Sequence, residues 1–256
     1  MTAGTGRRRS LKRRLAAGEH LRGALFRLPS ETLVEMAAVA GLDYVVIDCE
    51  HGPVDLLALQ HHLLAAAAHG LDVLVRVGEN EPALSLRCLD LGAAGLIHPH
   101  VDSAEEARRV VAADRYPPAG RRGFATYSRA GRFGTVTAAE HLAAAADTLV
   151  VVMIETGAAC AAAAGIAAVD GVDAVLVGPA DLAADLGFPG PEEIGRLTAR
   201  THHEVRAAGR AVMAIVPGAE AARAAEQAGA HLVLYNMTHV LMDAFQALVP
   251  PLPARP

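Results

Sequence analysis

The chain has no tryptophan, only four tyrosines and five phenylalanines, so any core it builds is aliphatic. Lysine is nearly missing: the single one, Lys12, lies near the N-terminus, and no later strand end can offer an amine for Schiff-base chemistry. Three cysteines, Cys49, Cys88 and Cys160, are odd in number and form no CxxC pair, which argues against a disulfide framework and against a thiolate metal site. Uncharged apolar runs such as Thr156 to Val169 fall short of the roughly 18 residues a membrane span needs. No apolar signal core follows the basic N-terminus, so a cytoplasmic protein with no membrane partner is expected. There is no GxGxxG after the first strand, and Ser128 lacks a nucleophile-elbow setting, which removes the usual Rossmann and serine-hydrolase signatures.

Positive charge is scarce outside the N-terminus. Arg7, Arg8, Arg9, Lys12, Arg13 and Arg14 leave 17 basic against 28 acidic residues in the rest, a body that repels nucleic acid. The basic segment reads as a frayed terminus, 1–10, leading into a helix from about Leu11; a weak polyanion tether is the alternative.

What is present is a regular alternation. Apolar runs predict strands near 22–26, 43–48, 72–76, 95–98, 148–154, 173–177, 211–215 and 231–235, separated by amphipathic segments such as 30–40, 55–69, 104–113, 191–208 and 218–228. Ser30 and Asp102-Ser103 are helix starts, and Gly41, Gly70, Gly92, Gly209 and Gly229 are helix stops. Eight βα units in 256 residues predict an α/β fold, a single (β/α)8 TIM barrel over 1–256 rather than an open sheet. The rhythm breaks at 116–137, a Gly, Arg and Pro-rich connection in which 123–126 reads as a short extra strand, and loops of that length are commonly functional.

In such a barrel the chemistry sits where strands end. Strand two runs out in Asp48-Cys49-Glu50-His51-Gly52-Pro53, strand three in Arg76, strand five in Glu155-Thr156 and strand six in Gly178-Pro179-Ala180-Asp181. Two carboxylates, Glu155 and Asp181, delivered to one mouth repel unless a cation joins them. Oxygen-only ligation suits a hard six-coordinate ion such as Mg²⁺ or Mn²⁺. The competing reading makes each a helix cap, Asp181 for Leu182 to Leu186. Arg76, ending an apolar run, wants an anion, either a carboxylate held bidentately or an internal ion pair with Glu50 or Asp48. His51 is a candidate base in a loop fixed by Gly-Pro, or a structural histidine. His98 and His100, two apart, could instead point the same way and bind Zn²⁺ or Fe²⁺.

Seven motifs in series then become recognisable: Asp48-Cys49-Glu50-His51-Gly52-Pro53, Arg76-Val77, Leu89-Asp90-Leu91-Gly92-Ala93-Ala94-Gly95, Tyr116-Pro117-Pro118, Arg121-Arg122-Gly123, Ile154-Glu155-Thr156 and Gly178-Pro179-Ala180-Asp181-Leu182. Together they resemble the HpcH/HpaI family of class II pyruvate aldolases, the 4-hydroxy-2-oxoheptanedioate aldolase type, over about Leu11 to Leu248. The resemblance implies a barrel of the phosphoenolpyruvate/pyruvate-binding type. It implies a divalent metal (Mg²⁺ or Mn²⁺, with Co²⁺ possible) on Glu155 and Asp181, chelated by the keto and carboxylate oxygens of pyruvate or another 2-oxo acid. It also implies Arg76 stabilising the enolate, His51 as acid/base, Asp90 raising the basicity of His51, and the Ala180 amide on the carboxylate. Asp48, Glu50, Gly178 and Pro179 are expected to support the site.

The second substrate the resemblance implies is an aldehyde. The assembly implied is a homo-oligomer, a trimer of dimers in which the last helix, 238–248, packs on a neighbour. The chain departs from the pattern at Met153, where many members have a Gln that helps bind substrate, which bears on the pyruvate pocket; departures at Tyr235-Asn236-Met237 and Glu79-Asn80-Glu81, with the loop 124–134, bear on the acceptor. Oxaloacetate decarboxylation through the same enolate, and a non-catalytic 2-oxo acid binder, are the alternatives.

Overall fold

A computed structural model describes residues 9–249. Arg7 and Arg8 lie outside the described residues. Eight strands, β1 (Leu21–Phe26), β2 (Tyr44–Asp48), β3 (Asp72–Arg76), β4 (Gly95–His98), β5 (Leu149–Ile154), β6 (Ala174–Val177), β7 (Ala211–Val216) and β8 (Leu232–Asn236), each pair in parallel with the next. β8 returns to β1 with Leu21 opposite Leu232, closing the barrel. The helices are α1 (Leu11–Ala16), α2 (Glu31–Val39), α3 (Leu56–Ala68), α4 (Pro82–Asp90), α5 (Ala104–Asp114), α6 (Ala138–Ala145), α7 (Gly157–Ala161), α8 (Ala163–Ala167), α9 (Pro179–Asp185), α10 (Pro191–Ala207), α11 (Ala219–Gln227) and α12 (Met237–Ala247). The expected fold is thus the observed one, and no helix among the described residues is long and apolar enough to cross a membrane.

Strand alternation decides what fills the barrel. Leu21 and Leu25, Tyr44 and Val46, Leu149, Val151 and Met153, Leu232 and Leu234 share one cluster in the lumen. The residues between them, such as Val45 and Ile47 or Val150, Val152 and Ile154, join the clusters under the helices. The Tyr44 ring lies over β1 and donates its hydroxyl to the Val233 carbonyl of β8 at 2.9 Å. It fits because Gly23 opposite has no Cβ, which would stand 2.4 Å from the ring. A fully buried leucine or isoleucine is worth roughly 1.5–3 kcal/mol, and the wall and lumen are made almost entirely of such residues.

Caps follow the sequence signals. Ser30 and Ser103 accept from the N–H groups of Leu33 and Glu106, and the five stop glycines have φ between 67° and 95°. α1 starts at Leu11, as read, and closes the N-terminal end of the barrel: Leu11 is buried in the lumen cluster. Its cations are taken up in ion pairs, Lys12 with Asp173, Arg13 with Asp147 and Arg14 with Glu19 and Asp43, while Arg9 meets Glu19, so the tether reading loses most of its charge.

The connection after α5 is not a strand at 123–126. A closed barrel leaves no free edge for another strand to pair with. The segment is held by side chains instead: the Arg122 guanidinium lies 4.5 Å from the Tyr116 ring centre and donates to Asp90, and Phe124 meets Tyr116 edge-on. Arg129 reaches the Leu91 and Leu63 carbonyls, so the loop runs over the outer faces of α3 and α4.

Candidate active site

The same alternation that fills the lumen carries polar side chains into its C-terminal mouth. Two residues beyond the interior positions Leu25, Val46, Leu74 and Met153 stand Arg27, Asp48, Arg76 and Glu155. Asp48 and Arg76 face each other across β2 and β3. The Arg76 Nε donates to Asp48 Oδ1 at 2.9 Å and its Nη2 to Oδ2, while Arg27 Nε donates to Oδ2 at 2.8 Å. Burial alone would raise the fully enclosed Asp48 carboxyl, but Arg76, the His51 N–H and Arg27 hold it below the usual range. Asp48 also shapes its own loop, accepting from the N–H groups of Glu50 and His51 at 3.2 Å each, an Asx-type turn.

The internal ion pair considered for Arg76 is therefore present, and the bidentate partner of the guanidinium is Asp48. What remains for a ligand is Nη1, 3.2 Å from Glu50 Oε2. Burial lowers the Arg76 pKa less than Asp48, Glu50 and Glu155 raise it, so the charge is secure. Burial also raises Glu50, against the pull of Arg76 and His51. The His51 ring is largely exposed, with Nε2 3.8 Å from Glu50 Oε2. Neighbouring Cys49 is no nucleophile, since burial pushes its thiol to about 12.

Across the mouth, Glu155 is 1% exposed and its carboxyl is pushed up to about 7, first by burial and further by Asp181 and Glu50. The His100 backbone N–H donates to Glu155 Oε2 at 2.8 Å. Gly178 makes the space: a Cβ there would lie 2.5 Å from Glu155 Oε1. Asp181 is half-buried at the third position of α9, which begins with Gly178 as N-cap and Pro179 first, so Asp181 is not the cap considered for it. Pro179 has no N–H, leaving the exposed Ala180 amide among the free donors of that first turn. Met153 is buried one interior layer below Glu155.

No three His, Cys, Asp or Glu side chains converge as a ligand cluster among the described residues. The donor set is a carboxylate pair, and it fits a hard cation: Glu155 is buried beside two other carboxyls, and the hydrogen bond it accepts uses only Oε2. The His98 and His100 pair does not form a site. His98 points outward to Asp114 of α5, with Nε2 to Oδ2 2.8 Å, whereas His100 has φ +50° and turns its ring to within 3.7 Å of Glu155 and 3.9 Å of Glu50. Residues two apart share a face only while the backbone stays extended, and a left-handed non-glycine residue costs of order 1–3 kcal/mol.

No hydrogen bond or ion pair joins Asp90 to His51 among the described residues. Asp90 lies at the end of α4 and accepts from Arg122 Nη2 at 2.7 Å. The loop 124–134 likewise makes no hydrogen bond to the mouth among the described residues. Arg27 is the residue that motif spacing overlooks; its Nη1 also donates to Asn236 at the end of β8, so it ties β8, β1 and β2 together above the core. Continuing the interior alternation of β1 by one step finds it.

The family model described as HpcH/HpaI aldolase/citrate lyase matches residues 24–239. A pyruvate aldolase of Rhizobium etli is 42% identical over 179 residues, 70% of this chain and 70% of its own. A 2-keto-3-deoxy-L-rhamnonate aldolase of Klebsiella pneumoniae is 40% identical over 205 residues, 78% of this chain and 76% of its own. The crystal structure of an HpcH/HpaI aldolase/citrate lyase family protein from Burkholderia cenocepacia, 36% identical, superposes with a TM-score of 0.86 over 93% of this chain and 97% of that one.

Proposed function

The chain belongs to the HpcH/HpaI aldolase/citrate lyase family and is a lyase of the aldolase type, and we propose that it forms or cleaves 4-hydroxy-2-oxo acids through the enolate of pyruvate, with an aldehyde as second substrate. The observation that carries this reading is the buried Glu155 carboxyl, pushed to about 7 beside Asp181 and opposite Arg76. Glu155 and Asp181 would hold a divalent cation, Mg²⁺ or Mn²⁺ with Co²⁺ a further fit, which when bound supplies Lewis-acid polarisation of the 2-oxo group.

The chain's own groups do the rest. The Ala180 N–H binds the substrate carboxylate at the start of α9. Arg76, its fork committed to Asp48, offers Nη1 to the oxygen on which negative charge develops. In cleavage a base takes the proton of the 4-hydroxyl, the C3–C4 bond breaks, the aldehyde leaves, and the remaining enolate takes a proton at C3 to become pyruvate. His51, exposed beside Glu50, would exchange both protons directly or through one water. Asp90 pairs with Arg122 in the single chain, and the buried thioether of Met153 offers the pyruvate pocket no hydrogen-bond donor.

The 4-hydroxy-2-oxoheptanedioate subtype gains no support from the relatives. A 2-keto-3-deoxy acid nevertheless carries its hydroxyl at C4, so the name of one relative falls in the same substrate class. We further infer a homo-oligomer, from α12: Met242, Phe245 and Leu248 are 49%, 59% and 80% exposed, an apolar face suited to a neighbouring barrel.

Exchange of the pyruvate methyl protons in D₂O, with Mg²⁺ or Mn²⁺ and after chelation, tests the enolate half. Wild type should exchange only when metal is present. Cleavage of oxaloacetate with no product from any aldehyde would move the reading to a decarboxylase, and exchange that survives chelation would remove the metal.

A further inference from the structure

Glu155 is held from two sides in unlike ways. On one side β4 ends in a bulge: His98 stands opposite Val152, yet the Val101 N–H bonds the Met153 carbonyl, so the β4 side uses one residue more than β5 to reach the same level. The extra length falls on Pro99 and His100, and His100 takes it up at φ +50°, which swings its N–H off the ladder and onto Glu155 Oε2 at 2.8 Å. On the other side Oε1 rests over Gly178, where any Cβ would intrude to 2.5 Å. The His100 ring is less engaged, its nitrogens 3.7 Å from Glu155 and 3.9 Å from Glu50, beyond hydrogen-bond reach.

We propose that the backbone of His100, not its imidazole, aims Glu155: the left-handed bulge commits Oε2 to an N–H, and the bare Cα of Gly178 leaves Oε1 as the oxygen presented to the cation. His100 is then a positioning residue, and the inference rests on the reading of Glu155 as a cation ligand. Partners of this kind matter because a carboxylate free to rotate must be ordered each time a cation binds, and removing such support typically lowers metal affinity 10- to 100-fold.

The backbone and the ring can be separated by choosing side chains for their tolerance of positive φ. Glycine and asparagine accept the left-handed region and valine does not. Calorimetric titration of the chelator-treated full chain with Mn²⁺ alone should find His100→Gly and His100→Asn within about threefold of wild type, although both lose the imidazole. His100→Val and Gly178→Ala should each bind at least tenfold more weakly. Circular dichroism checks that each variant folds, and if His100→Val does not, Gly178→Ala against the Gly and Asn pair decides. The proposal is overturned if His100→Gly loses as much affinity as His100→Val, which would give the role to the ring, or if Gly178→Ala binds as wild type does. Glu155→Gln is the control for the underlying reading. If wild type binds no Mn²⁺, or Glu155→Gln binds it equally well, Glu155 is not a ligand and both claims fall. Loss in Glu155→Gln with no loss in His100→Val or Gly178→Ala sinks the positioning claim alone.

Discussion

At the N-terminal end of the barrel, Lys12, Arg13, Arg14 and Arg115 each meet a carboxylate of Asp173, Asp147, Asp43 or Glu19, at 2.6 to 3.4 Å. At the C-terminal end both arginines, Arg27 and Arg76, turn first to Asp48, Arg76 also reaches Glu50 at 3.2 Å, and no arginine ion pair joins Glu155 or Asp181 among the described residues. The lower end balances its charges around the plug formed by α1. The mouth holds more carboxyls than arginines, and burial drives one of them, Glu155, toward neutrality. In a barrel whose ends serve stability and chemistry separately, that imbalance marks which end works on a ligand.

The contrast breaks most sharply at Arg76. Replacing it with alanine strips the fully buried Asp48 of its bidentate partner, and breaking a buried pair from one side costs about 3–5 kcal/mol. Arg76→Ala should therefore lower the urea midpoint strongly and abolish pyruvate methyl exchange. A variant that keeps wild-type stability would show that Arg27 alone satisfies Asp48, and the mouth would then be less interdependent than its geometry implies.

Glu155 gives the next largest effect, and it depends on pH. Its carboxyl sits at about 7 in the fold against 4.5 for an ordinary glutamate, so the folded chain binds this proton more tightly than the unfolded chain does. The contribution is full below about 4.5 and is lost as pH rises toward 7. Metal-free protein should thus lose stability between about pH 5 and pH 7.5 in urea unfolding, Glu155→Gln should remove that part of the slope, and Mg²⁺ should restore wild type at the upper end. A wild-type curve that matches the Gln variant throughout would remove the charge imbalance on which the comparison stands.

Much of this is legible in the amino-acid sequence. Hydrophobic alternation places all eight strands to within about two residues, because lumen and wall both demand aliphatic residues and the helices between them do not. The strand-end rule finds Asp48, Arg76 and Glu155 for the same reason. It does not by itself find Arg27, which is flanked by Leu28-Pro29 and belongs to no polar motif, although it obeys the same alternation. Where side chains find their partners depends on geometry that spacing does not encode. His98 and His100 separate because one backbone angle is left-handed. Asp90 goes to Arg122 because a loop 32 residues further on folds back over α4. α7 and α8 escape notice because Ala-rich sequence has no contrast between its faces.

The smallest effect is expected at the balanced end. Arg13 and Asp147 form a pair 2.8 Å apart whose side chains are 65% and 29% exposed. Exposed pairs contribute about 0–1 kcal/mol, because water already solvates both charges and two long side chains must be held still. Arg13→Ala should shift the unfolding midpoint barely at all and leave methyl exchange and Mn²⁺ affinity as in wild type. This null effect sharpens the comparison, since a cation near the lower end and a cation at the mouth would then differ in consequence through burial and partner alone. If Arg13→Ala instead lowered exchange, the N-terminal end would be coupled to the mouth through the lumen, most directly by way of Leu11, and the division of labour between the two ends would fail.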